Sequence, residues 1–183
     1  MRIIAGKYGG LHLLSFDNKH IRPTTDREKE SIFNILQNHI DSARVLDLFS
    51  GTGSLGLEAL SRGAAFVQFV DFHVQSIKLI KDNIKKLKIS EDHQVLKADV
   101  IKFLKAYEGP AFEIILIDPP FTKTMAQEVM MGLKDSKVHT EGTLVCIETG
   151  KSEKLDSEYG FLKTKSVKTF KDKHLYIFVH QNV

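Results

Sequence analysis

A single cysteine in 183 residues leaves Cys146 with no internal disulfide to form and no second thiol to complete a zinc-ribbon or CxxC redox spacing. Cys146 therefore reads as a core residue. Proline and glycine are sparse, at 4 and 12 residues, while 42% of the chain is apolar and 27% charged, which excludes disordered, collagen-like and low-complexity classes. No apolar run approaches the roughly 20 residues that span a bilayer, and the opening MRIIAGKYGG lacks the apolar stretch of a secretory signal. A cytoplasmic location is expected. Neither GxxxxGK[ST] nor GxSxG is present, which argues against P-loop and serine-hydrolase chemistry. The 8 histidines show no HxH or HExxH spacing, so no metal is expected. Excess charge of one sign is also small: 26 basic against 23 acidic residues gives +3. Its distribution is sharper, because residues 1–27 hold Arg2, Lys7, Lys19, Arg22 and Arg27 against only Asp17 and Asp26.

The length suits one domain with one core. RIIA and LHLL around Gly9-Gly10 predict a short β-hairpin arm. Thr25 and Glu28 have capping-box spacing, so a helix should start there and bury Ile32, Phe33, Ile35, Leu36 and Ile40. Strands are predicted at 44–49, 66–70, 93–98, 112–117, 142–148, 162–170 and 174–181, with helices after the Gly-rich turn at 50–53 and at 73–88, 100–106 and 124–134. This alternation predicts an α/β fold: a Rossmann-like, doubly wound, mostly parallel seven-stranded sheet finished by an antiparallel C-terminal edge hairpin. Such sheets bind ligands beyond the carboxyl ends of their strands.

Asp47-Leu48-Phe49-Ser50-Gly51-Thr52-Gly53-Ser54-Leu55-Gly56 closes the first of these strands and contains GxGxxG, a turn whose amides can approach a nucleotide. Asp71 ends the next strand, where a carboxylate can accept from both ribose hydroxyls. Both features also fit a dinucleotide. Asp47 discriminates: beside a pyrophosphate it costs Coulomb energy, whereas beside an ammonium and a sulfonium it gains roughly 4 kcal/mol at about 4 Å and an effective dielectric near 20. That points to S-adenosylmethionine, unless Asp47 only caps local amides. Asp99 ends the third strand, as an adenine contact, an N-cap for the helix at 100–106, or both. After the fourth strand comes Asp118-Pro119-Pro120-Phe121. The prolines fix the backbone and leave the Asp118 carboxylate and the Pro119 carbonyl as rigid acceptors suited to an exocyclic amine, with Phe121 able to stack the base. An aryl amine attacks a methyl group poorly until acceptors localise its lone pair and offset the developing charge.

RIIAGKYGG, RPTTDREKESIFNIL, LDLFSGTGSLGLEALSRGA and IDPPF together resemble the class I S-adenosylmethionine-dependent methyltransferases, and specifically the bacterial 16S ribosomal RNA guanine-N2 methyltransferase family, over nearly the whole chain. The resemblance implies transfer to the N2 amine of a guanine in small-subunit RNA, met within an assembling subunit. It places Asp47, Phe49, Ser50, Gly51, Thr52 and Gly53 around the cofactor's methionine part. Asp71 and Phe72 fall at its ribose side, Asp99 and Val100 at its adenine, and Asp118, Pro119, Pro120 and Phe121 around the target amine. Arg2, Lys7, Arg22, Thr24 and Arg27 would meet RNA, with residues 1–22 as the RNA-contacting arm and 23–183 as the methyltransferase domain. Three alternatives stand beside it: an adenine-N6 methyltransferase of DNA or RNA, which shares DPPF; an NAD-type oxidoreductase, opposed by Asp47; and a non-catalytic RNA-binding module.

Overall fold

Thr25 caps the first helix as its spacing to Glu28 requires: the Glu28 amide donates to the Thr25 hydroxyl at 3.3 Å and the Thr25 amide donates back to the Glu28 carboxylate at 2.7 Å. The computed structural model describes residues 1–16, 25–122 and 124–182. From Thr25 onward the chain runs α1 (Asp26–Leu36), β1 (Arg44–Leu48), α2 (Ser54–Ser61), β2 (Phe66–Asp71), α3 (Val74–Leu87), β3 (Asp92–Lys97), α4 (Val100–Ala106), β4 (Ile114–Ile117) and α5 (Met125–Lys134). The rest is strand: β5 (Leu144–Gly150), β6 (Glu158–Tyr159), β7 (Leu162–Thr169) and β8 (Lys173–His180).

The strands form one sheet in the order β3-β2-β1-β4-β5-β8-β7-β6, parallel from β3 to β5 and antiparallel beyond. The predicted Rossmann-like, doubly wound architecture with its C-terminal edge hairpin is present. Side chains alternate between two cores. Val45, Ile114, Leu116, Leu144 and Cys146 face the layer of α1, α2 and α3, while Leu46, Ile115, Ile117, Val145 and Ile147 face α4 and α5. Cys146 is buried, and burial pushes its thiol up to about 12, leaving it an inert packing group.

Two expectations need correction. The sheet has eight strands rather than seven, because Gly160, at φ 61, turns the chain so that Glu158–Tyr159 pairs back onto β7. Tyr159 is buried there and its hydroxyl is bonded to Gln127 and the Asp156 amide. Two residues carry no periodicity from which such a strand could be read.

The arm does fold back as a short antiparallel pairing, but its turn is wider than Gly9-Gly10 predicts. Arg2 and His12 form its β-bridge, the Ile3 amide donates to the Leu11 carbonyl at 2.9 Å and the Leu13 amide to the Met1 carbonyl at 3.1 Å, and the left-handed positions of the turn are Gly6 (φ 82) and Gly10 (φ 83). The amides between the paired ends are taken by α2: Ile4 and Ala5 donate to the Glu58 carboxylate at 2.7 and 3.1 Å, Lys7 to the Ser61 carbonyl at 2.8 Å, and Tyr8 to the Ser61 hydroxyl at 3.0 Å. Helix α2 thus holds the arm, and Ile3, Tyr8 and Leu13 are buried in the core on that side.

Candidate active site

The chain leaves β1 through a turn in which Phe49 (φ 58), Gly51 (φ 54) and Gly53 (φ 78) are all left-handed. Glycine takes that conformation freely; Phe49 does so at a strain cost of order 1–3 kcal/mol, which marks the turn as over-determined by its surroundings. Ser50 supplies part of that constraint. Its hydroxyl donates to the Asp47 carbonyl at 2.6 Å and accepts from the Val70 amide at 3.0 Å, stapling the ends of β1 and β2.

Asp71, at the end of β2, closes the same corner. One oxygen accepts from the Gly51 amide at 2.9 Å and the other from the His73 amide at 2.8 Å. Each keeps a further lone pair for a ligand hydroxyl. Asp99 is exposed and caps α4 by accepting from the Lys102 amide at 2.9 Å, so both roles read for it are compatible.

These residues meet on one cavity of about 570 Å³ at the carboxyl ends of the strands. Phe49, Gly51, Asp71, Phe72 and Asp99 line one side of it; Asp118 and Pro120 line the other. Its volume lies in the range of sites for cofactor-sized ligands. Phe16, His73, Gln75, Ser76 and Met125 complete the wall. The sequence reading passed over them: Met125 opens the helix after DPPF and could have been found from that position, whereas Phe16 carries no local signal.

Other candidates lie beneath or beside the cavity. Asp47 is only 2% exposed and accepts from the Gly56 amide at 2.9 Å. Thr52 is turned toward the arm, its hydroxyl at 3.2 Å from the Met1 sulfur, and Gly53 forms the cap of α2. Val100 is buried under α4, and Pro119 is buried at the end of β4. Phe121 stands 51% exposed against Gly150. Of the basic residues, Arg2 pairs with Asp26 at 2.9 Å and Lys7 with Glu91 at 2.6 Å, while Arg27 is exposed. Arg22 and Thr24 lie outside the described residues.

Burial pushes the Asp47 carboxyl up to about 8; the Gly56 amide opposes this, and the charges of Asp118 and Asp71 add to it. An anion in that place is poorly compensated by protein alone, which fits a cationic ligand and disfavours a pyrophosphate. The sign for stability follows. Because the folded value exceeds the ordinary one near 4, Asp47 contributes stability fully below about pH 4 and loses it as the pH rises through about 8. The ligand-free protein should therefore melt at lower temperature at about pH 9 than at about pH 6, and Asp47→Asn should flatten that fall. An equal fall in both proteins, by scanning calorimetry, would remove Asp47 as its source.

Gly56 sets how closely α2 approaches this carboxylate. A Cβ there would lie 2.3 Å from Phe69 Cε1 and 2.9 Å from Asp47 Oδ2, and Phe69 is fully buried with nowhere to retreat. Gly56→Ala should destabilise the fold by about 1–3 kcal/mol and weaken cofactor binding, read by urea titration and calorimetry. Unchanged stability would show that the helix can lift without cost.

Residues 1–179 match the family described as Conserved hypothetical protein 95. The chain is 36% identical over 157 residues to ribosomal RNA small subunit methyltransferase D of Haemophilus influenzae, covering 85% of this chain and 81% of that one. It is 37% identical over 150 residues to the Escherichia coli protein of the same name, covering 81% and 74%. Among solved structures, yhhF of Escherichia coli, described as a candidate methyltransferase, superposes with a TM-score of 0.88 at 30% identity, covering 99% of this chain and 98% of that one.

Proposed function

We infer the chemistry from one premise: this chain belongs to the Conserved hypothetical protein 95 family, with relatives named as methyltransferases of small-subunit ribosomal RNA. It is an S-adenosylmethionine-dependent rRNA methyltransferase. We propose that its target is the exocyclic N2 amine of a guanine in small-subunit RNA, met in an assembling particle. The observation that carries this reading is the single cavity on which Asp71 and Asp99 oppose Asp118 and Pro120.

When bound, S-adenosylmethionine supplies a methyl group on a sulfonium that departs as a neutral thioether. Asp47 would face the cationic part of the cofactor from below, and Asp71 would accept from its ribose hydroxyls. Asp99 would meet its adenine. On the other side, the Asp118 carboxylate and the Pro119 carbonyl would accept the two amine protons of guanine, while Phe121, already exposed, would stack on the ring. As nitrogen gains positive charge, Asp118 offsets it and takes up the proton that nitrogen must lose. A base held in a duplex cannot reach this rim, so the guanine must be splayed out of its stack. Among the described residues no helix is long and apolar enough to cross a membrane.

Transfer of a labelled methyl group to undermethylated small-subunit particles, naked RNA and DNA, followed by nucleoside analysis, tests the reading. N2-methylguanosine in the particle is expected. N6-methyladenine in DNA would overturn the substrate assignment, and labelling of naked RNA alone would overturn the particle.

A further inference from the structure

On the α1 face of the sheet, the carboxyl ends of three adjacent strands carry a carboxylate each. Asp47 follows Val45 on β1, Asp118 follows Leu116 beyond β4, and Glu148 follows Cys146 on β5, and Val45, Leu116 and Cys146 all belong to the core on the α1 side. The register pairs Ile117 with Ile147, which sets Asp118 beside Glu148. The antiparallel strand β8 then brings Lys173 to the end of the same row, opposite Gly150.

The Lys173 ammonium is bonded to Glu148 Oε2 and lies 3.2 Å from Glu28 Oε2 of α1. Glu28 is the carboxylate of the α1 capping box, so this one cation ties the start of α1 to the ends of β5 and β8. Both Lys173 and Glu148 are buried, and Glu148 Oε1 is buried without a hydrogen-bond partner. Three carboxylates, Asp118, Glu148 and Glu28, thus surround a single ammonium, and Asp47 is the next member of the row beyond Asp118. Such a row holds fewer negative charges than it has carboxyl groups, and the cation decides how many.

We propose that Lys173 is a positioning residue for methyl transfer: held between Glu148 and Glu28, its ammonium supplies the positive charge that lets Asp118 remain an ionised acceptor for the amine at neutral pH. The inference rests on the reading of Asp118 as that acceptor. Its neighbours behave accordingly. Burial, then the charge of Asp118, raise Glu148 to about 8 against the pull of Lys173, and burial together with Asp118 and Asp71 holds Asp47 high against the Gly56 amide. Lys173 is raised although its burial opposes this, because Glu148, Asp118 and Glu28 surround it. Glu28 is lowered although its own burial opposes it, by the Thr25 bonds and then by Lys173. Protons in the row are therefore drawn to its most buried members, Asp47 and Glu148. Without the ammonium the proton affinity of the whole row rises, Asp118 included.

The test is the pH dependence of methyl transfer by the full chain to undermethylated small-subunit particles, for wild type, Lys173→Met, Lys173→Arg and Glu28→Gln. Lys173→Met should move the acidic limb of kcat upward by about one pH unit, so that activity falls about tenfold near pH 6.5 and recovers to within about threefold near pH 9. Cofactor affinity should stay within about threefold, and Lys173→Arg should restore the limb. Glu28 is the carboxylate of the cluster that stays ionised, so Glu28→Gln removes one negative charge and should move the limb in the opposite direction, to lower pH. Damage to the fold alone cannot produce opposite shifts, so Glu28→Gln decides the matter if Lys173→Met does not fold. A uniform loss at every pH, or an unmoved limb in both variants, would overturn the role of Lys173. Asp118→Asn separates the two levels: an inactive Asp118→Asn beside unmoved limbs sinks only the inference on Lys173, whereas a fully active Asp118→Asn sinks the reading of the site beneath it.

Discussion

Asp118→Ala is expected to lower methyl transfer by about 10²–10⁴-fold while leaving the affinity for S-adenosylmethionine within about tenfold. The split follows from position. Asp118 lies across the cavity from Asp71 and Asp99, the residues placed to hold the nucleoside part of the cofactor, and removing it takes no contact from them. It does remove a negative charge that Asp47 feels, which eases ionisation of Asp47 toward a cationic ligand and offsets part of the attraction lost. What cannot be offset is the acceptor for the amine. The Pro119 carbonyl alone would hold one proton of the pair, and the charge developing on nitrogen would meet no carboxylate. Asp99→Ala provides the contrast, because its loss should raise KM for the cofactor with kcat nearly unchanged. Single-turnover transfer and calorimetric titration on the same preparations check both. A folded Asp118→Ala protein with wild-type turnover would end the assignment of the acceptor.

The elements legible in the sequence are those whose signal is local. The hydroxyl and carboxylate of Thr25 and Glu28 announce α1 because both bonds of the capping box form within four residues. Helix α4 occupies Val100–Ala106 as predicted, since Asp99 caps it at its own N-terminus. The two-faced burial of Ile114–Ile117 shows as an unbroken apolar run. Candidate site residues were legible for a related reason: in a doubly wound sheet the carboxyl end of each strand is the functional rim, so Asp47, Asp71, Asp99 and Asp118 could be placed by counting strands.

What stayed hidden depends on partners far along the chain. The arm's latch cannot be read locally, because Glu58, more than fifty residues away, takes the amides of Ile4 and Ala5. Lys29 sits in a helix of mixed polarity and reads as solvated, yet it is fully buried beside Glu58. Lys173 looks like one more charge in a basic tail, and only the antiparallel return of β8 brings it to Glu148 and Glu28.

Glu58 carries the largest expected effect on stability. It is fully buried, and its two oxygens receive four donors: the Ile4 amide at 2.7 Å, the Ala5 amide at 3.1 Å, Arg62 Nε at 2.7 Å and Lys29 Nζ at 3.3 Å. Glu58→Ala would leave the Lys29 ammonium buried with only the Arg2 carbonyl as acceptor, and two backbone amides unsatisfied. Breaking a buried pair from one side costs about 3–5 kcal/mol, which for a chain of this size lowers Tm by on the order of 10 °C. Burial already holds Lys29 below the ordinary lysine value against the pull of Glu58, and removing Glu58 must lower it further. The variant should therefore regain stability as the pH rises and lose it as the pH falls through the depressed Lys29 value, a dependence much weaker in wild type. Lys29→Met combined with Glu58→Leu should abolish that pH dependence, since no charge is then stranded, but the arm would remain unlatched. The latch reaches the active site through Asn83, which bonds the Leu14 amide and carbonyl on one side and the Thr52 carbonyl of the glycine turn on the other, two residues before Phe16 enters the cavity wall. Weaker cofactor binding should accompany rapid amide exchange at Ile4 and Ala5 in Glu58→Ala. Wild-type stability with those amides still protected would show that the arm is held by its apolar contacts alone.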